Sequence, residues 1–159
     1  LKIKVRRRKF GARLGSGEFI GKKLILLKPW QFMNRSGQAV ASAVSFYKLD
    51  LSDLLVITDD MYLEPGRIRI RAKGSSGGHK GLADIIDELG TSEFARCRIG
   101  IGCRGEETCQ SRIDYVLDKP IEAEKLLLAS AIERARDAVL CWIEHGVKVA
   151  MNEFNRYKE

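Results

Sequence analysis

The sequence predicts an α/β fold, and three observations carry that expectation. Leu54-Leu55-Val56-Ile57 is continuously apolar, as expected of a central strand covered on both faces. Arg67 to Ala72 (RIRIRA) and Arg96 to Gly102 (RCRIGIG) alternate with a period of two, the mark of strands with unlike faces. Around them, apolar residues recur at helical spacing: Val40, Ala41, Val44 and Tyr47, and later Leu128, Ile132, Ala135, Val139 and Trp142. A length of 159 residues suits one domain, and 45% apolar residues can build its core.

Taken in order, residues 1–10 carry six basic side chains, and the reading favours a mobile basic arm over a strand. Gly11 to Gly21 reads as a strand and turn, and Leu24 to Leu27 as a short buried strand ended at Lys28-Pro29. The stretch Trp30 to Gly37 is a tight loop, with Asn34 or Ser36 as the N-cap of the helix through Tyr47. Thr58-Asp59-Asp60 follows the apolar strand and by residue type reads as a turn, with a metal site or an acid/base pair as alternatives. Glu64-Pro65-Gly66 is a turn.

In RIRIRA, Arg67, Arg69 and Arg71 share one face, which leaves two readings open: a phosphate-contacting ledge or protection of an edge strand. Arg96 and Arg98 share a face of the later strand, so Arg71 and Arg98 can converge on one anion if the two strands are close. Lys73 to Leu89 joins a glycine- and serine-rich loop, His79 and a helix start; it can cradle an anion or act as a hinged gate. It matches neither a Walker loop nor a dinucleotide fingerprint. Cys103 to Arg112 reads as a loop, Asp114 to Leu117 as a short strand or turn stopped by Pro120, and Gly146 as the stop of the long helix from Ile121. Val147, Ala150, Met151 and Phe154 mark a last short helix.

Composition narrows the function. A formal charge of +7 favours a polyanionic partner, nucleic acid first. No run of about 18 apolar residues offers a membrane span. Cys97, Cys103, Cys109 and Cys141 form no CxxC pair, and neither histidine sits at metal-ligand spacing from them. Free thiols in the cytoplasm are the expectation, with no metal.

A set of motifs then runs through the chain in order: Lys28-Pro29 with Phe32-Met33-Asn34 and Ser36-Gly37; Asp59-Asp60 with Pro65-Gly66; Lys73-Gly74-Ser75, Gly77-Gly78-His79 and Gly81-Leu82; Arg98-Ile99-Gly100-Ile101-Gly102; and Met151-Asn152 with Phe154-Asn155-Arg156. In these the chain resembles the bacterial-type peptidyl-tRNA hydrolases. The resemblance implies a single α/β domain with a twisted mixed sheet flanked by helices. It implies hydrolysis of the ester between peptide and tRNA without metal or cofactor, by a monomer in the cytoplasm that binds the acceptor arm and the peptide.

By the same resemblance, Asp59 orients the catalytic histidine and Asn34 holds the peptide or the attacking water. Met33, Phe32, Gly78, His79 and Lys80 bind substrate, and Arg71 and Arg98 fall where the family places a basic pair for the tRNA 5′ phosphate; Arg69 joins them as a phosphate contact from the arginine face of RIRIRA. The family's Gly-x-Gly-Asn-Pro-Gly and Thr-Arg-His-Asn motifs, the second carrying the general-base histidine, do not occur in residues 1–159. The expectation is therefore of a missing N-terminal segment and of an inactive chain without it. Lys80 stands where the family usually has asparagine, and Tyr62 where an acidic residue is common. The alternative is a non-catalytic RNA-binding relative of the same fold.

Overall fold

The computed structural model describes residues 1–102 and 122–156, so the loop expected at Cys103 to Arg112 and the strand or turn at Asp114 to Leu117 lie outside the described residues. The chain divides into two compact units: Leu1–Leu54 with Lys73–Phe94, and Leu55–Ala72 with Ala95–Glu159.

The first unit opens with an antiparallel meander of β1 (Arg7–Lys9), β2 (Ala12–Phe19) and β3 (Lys22–Pro29). Each connection is a two-residue turn, Phe10-Gly11 and Ile20-Gly21, with positive φ at both positions. Such turns match the twist of the strands they join, and glycine adopts the second position without strain. Part of the expected basic arm is therefore ordered: Arg7–Lys9 pairs with Ala12–Leu14. Ala12 and Leu14 are fully buried on the inner face of this sheet.

A short 3-10 turn, Met33–Arg35, leads into α1 (Ser36–Tyr47). Neither Asn34 nor Ser36 is the N-cap. Arg35 holds that position without a side-chain bond, Asn34 lies inside the 3-10 turn, and the Ser36 hydroxyl donates to Met33 O at 2.9 Å. The buried face of α1 is Ser36, Gly37, Ala39, Val40 and Ala43, so the expected stripe through Ala41, Val44 and Tyr47 is rotated. The small residues admit α2 (Lys80–Leu89) at close range: a Cβ on Gly37 would meet the backbone of Asp84, whose carboxylate accepts from Gly37 N at 2.6 Å.

The second unit contains a mixed sheet in the order β4-β6-β5, from β4 (Leu55–Asp60), β5 (Ile68–Arg71) and β6 (Ala95–Gly100). β4 runs parallel to β6, and β5 antiparallel. The central position thus goes to β6, not to the apolar Leu54–Ile57 run, and Ile57 is 51% exposed. Thr58-Asp59-Asp60 are strand residues rather than a turn.

Two helices, α3 (Glu122–His145) and α4 (Val147–Phe154), flank this sheet. Ala131, Ala135, Ala138 and Ala150 pack with Ile68, Ile70 and Cys97 as one core. Ile132, expected inside, is 59% exposed; the alanines one turn apart define the inner face, because small side chains let a helix approach a sheet closely. The fold is α/β, with a mixed sheet flanked by helices.

Candidate functional site

In the first unit the candidate residues converge from two short segments. Phe32 and Met33 are 78% and 55% exposed, and Asn34 is exposed beside them in the 3-10 turn. Trp30, Gln31, Phe32 and Arg35 line a recess of about 340 Å³ next to this turn. Gly78, His79 and Lys80 lead into α2. Gly81 is where the segments meet: a Cβ there would stand 2.7 Å from Met33 Sδ, 3.1 Å from Met33 O and 3.1 Å from His79 Cε1. The missing side chain is what allows the Met33 turn to pack against the start of α2, beside the His79 ring.

His79 is the N-cap of α2, a role the sequence reading missed. Its Nδ1 accepts from Leu82 N at 3.0 Å, which satisfies one of the orphan donors of the first helical turn. A ring that accepts at Nδ1 is neutral and carries its proton on Nε2. Lys80 begins the helix as an exposed cation, the sign that the helix dipole disfavours at that end. The loop before it borders an open groove of about 570 Å³ lined by Lys73, Ser75, Ser76, Asp87, Ser92 and Glu93. Lys73 and Glu93 pair at 3.2 Å on this groove, so it presents both signs of charge rather than a simple anion cradle.

In the second unit the sheet register sorts the polar residues. Arg98 lies opposite Arg69 and Thr58, and Arg96 lies opposite Arg71 and Val56. Residues paired across a ladder share a face, so Arg69, Arg71, Arg96 and Arg98 all project to one side. The partner directly across from Arg98 is Arg69, not Arg71. Arg69 and Arg71 are exposed, whereas Arg96 is fully buried, the largest side chain so enclosed among the described residues. Its depth was not expected.

Asp60 lies on the arginine face and pairs with Arg98 at 3.4 Å, and it also accepts from Tyr62 N at 2.9 Å. Asp59 is opposite Ile99, on the other face, which carries Ile68, Ile70 and Cys97. The adjacent carboxylates are thus separated by strand alternation. Asp60 stabilises an arginine and a turn, while Asp59 is half-buried beside the apolar core.

Among the described residues, no helix is long and apolar enough to cross a membrane. Comparison with known proteins gives a consistent result. A peptidyl-tRNA hydrolase of Thermoanaerobacter sp. (strain X514) is 48% identical over 155 residues, covering 98% of this chain and 82% of that protein. One from Symbiobacterium thermophilum is 49% identical over 135 residues, covering 84% and 69%. The crystal structure of peptidyl-tRNA hydrolase from Acinetobacter baumannii superposes with a TM-score of 0.90 at 36% identity, over 98% of this chain and 79% of that one. The peptidyl-tRNA hydrolase family model matches residues 1–159. On these matches the chain belongs to the peptidyl-tRNA hydrolase family.

Proposed function

We propose that this chain hydrolyses the ester joining a peptide to the 3′ end of tRNA, acting in the cytoplasm as a monomer. Water attacks the ester carbonyl, a general base takes its proton, and the ribose oxygen leaves as a hydroxyl with the peptide released as an acid. In this reading Asp59 orients the general-base imidazole of the family's Thr-Arg-His-Asn motif, which residues 1–159 do not carry, fixing its tautomer and stabilising the imidazolium. Asn34 holds the peptide or the attacking water with its side-chain amide. Phe32, Met33, Gly78, His79 and Lys80 border the peptide. Arg69, Arg71 and Arg98 bind phosphate of the acceptor arm through charge-assisted hydrogen bonds.

The observation that carries this reading is the packing at Gly81, which brings the exposed Met33 turn and the His79 ring to the same glycine, as two groups a peptide would meet. Family membership supports the reaction class. The separation of Asp59 from the Arg98–Asp60 pair supports its assignment as the carboxylate with a chemical role. Nδ1 capping supports His79 as an Nε2–H donor toward a peptide carbonyl.

The test is peptide release from peptidyl-tRNA by the full-length protein and its Asp59→Asn variant. The expected result is a fall in kcat of about 10²–10⁴-fold with KM little changed. Equal turnover by both proteins would remove Asp59 from the mechanism. Tight tRNA binding with no turnover by the wild-type protein would replace the hydrolase reading with that of a binding relative.

A further inference from the structure

The positive charge of this protein is concentrated at one end of the sequence. Residues 1–48 carry twelve lysines and arginines against a single carboxylate, Glu18, for a net +11. Residues 49–159 carry sixteen against twenty, for a net −4. The pairing of the first sheet organises part of that charge. Arg8 on β1 lies directly opposite Arg13 on β2, and Arg13 lies directly opposite Lys28 on β3. The three cations therefore form one straight row across all three strands, on the face away from buried Ala12 and Leu14. All three are exposed.

Such a row has a cost. Like charges directly opposite one another in an antiparallel pair destabilise it, and here the unfavourable pairing occurs twice in succession. No ion pair with a described carboxylate offsets it. Protection of a sheet edge explains a cation on β1, an edge strand, but not Arg13 on the central strand. At one end of the row the Arg8 guanidinium lies 5.4 Å from the centroid of the Trp30 ring, which is 47% exposed. Beyond Arg13, the same face is crossed by the chain at Ile3 and Lys4, which fit only because residues 15 and 17 are glycines. A flat line of cations ending on an exposed indole suits a sugar–phosphate backbone, which supplies regularly spaced anions and apolar ribose or base faces.

We infer that the Arg8–Arg13–Lys28 row is a second tRNA-binding surface, which contacts backbone phosphates of the tRNA body outside its acceptor end. The inference rests on the reading of peptidyl-tRNA as substrate. It differs from the Arg69, Arg71 and Arg98 group in residues, element and unit, and it assigns those cations to affinity rather than chemistry.

The experiment uses the full-length protein and an Arg8→Gln/Arg13→Gln/Lys28→Gln variant. Two substrates are compared: whole peptidyl-tRNA, and the peptidyl ester of the terminal CCA trinucleotide. The expected result is a KM for whole peptidyl-tRNA raised about tenfold at unchanged kcat, with no change on the trinucleotide ester. For deacylated tRNA, the slope of log affinity against log salt should shrink by about 2–3. Unaltered KM and slope, or equal losses on both substrates, would overturn the inference. So would salt-sensitive binding to phosphatidylserine vesicles that the variant loses while its tRNA affinity stays the same.

The deacylated-tRNA measurement needs no turnover, so it decides this inference even if the hydrolase reading fails. Removal of three crowded like charges should leave the melting midpoint equal or higher. If the triple variant does not fold, Arg8→Gln and Lys28→Gln singly should each reduce the salt slope by about 1.

Discussion

His79 caps α2, and the proposed function gives the same ring a second role. Nδ1 accepts from Leu82 N and starts α2, while Nε2 is the proposed donor to the peptide. The functions separate on substitution. His79→Ala removes the cap and should cost about 1 kcal/mol in urea denaturation, whereas His79→Asn retains a capping oxygen and should remain near wild-type stability. Both should raise KM for peptidyl-tRNA, since both lack the Nε2 donor; an unchanged KM in His79→Asn would confine the residue to capping. The glycine-rich setting made His79 visible in the sequence, but its capping role was not, because histidine is outside the usual group of N-cap residues. Arg96 and Arg98 show the same limit. Alternation placed both on one face correctly, yet one is fully buried and the other is paired with Asp60, since depth depends on what covers a face and not on period.

The strands were the most legible elements. β5 falls within the alternating stretch that announced it, β6 starts one residue before its own, and the buried residues of β5 are the predicted Ile68 and Ile70. Helices were legible in extent but not in orientation. In α1 and α3 the inner face is set by Gly37, Ala39, Ala43, Ala131 and Ala138. A hydropathy pattern follows the larger residues, Val44 and Ile132, because it scores apolar area and not closeness of approach. Gly37→Ala tests this directly. The added methyl meets the Asp84 backbone, which has no flexible atom to move aside, so the variant should lose about 1–3 kcal/mol by chemical denaturation. The edge of β5 shows a further device absent from any strand pattern. The Asn155 side chain accepts from Ile70 N at 2.7 Å and donates to Ile70 O at 2.9 Å, so an amide just beyond α4 satisfies the unpaired backbone of the edge strand.

Across the whole molecule the chain passes twice into each compact unit, and distant segments complete each one. Stability should respond to pH through the second unit's core. Burial pushes the Cys97 thiol up from about 9.0 to about 11. The folded state therefore favours the protonated thiol. Its contribution is complete below pH 9 and is lost as pH rises from 9 to 11, amounting to about 2 kcal/mol at pH 10.5. Urea unfolding at pH 8 and pH 10.5 should show that loss in the wild-type protein and a correspondingly smaller one in Cys97→Ala. The sequence by itself determined the α/β class, the positions of most strands and helices, the excess of positive charge and the order of family motifs. Each of these is written in residue type and short-range spacing. Only the tertiary structure decided that β6 is the central strand, that Asp59 and Asp60 face opposite ways beside different neighbours, that Gly81 joins Met33 to His79, and that Arg8, Arg13 and Lys28 stand in one row. Those facts arise from register and packing between residues far apart in the chain, where a single missing Cβ or one ladder pairing sets which side chains meet.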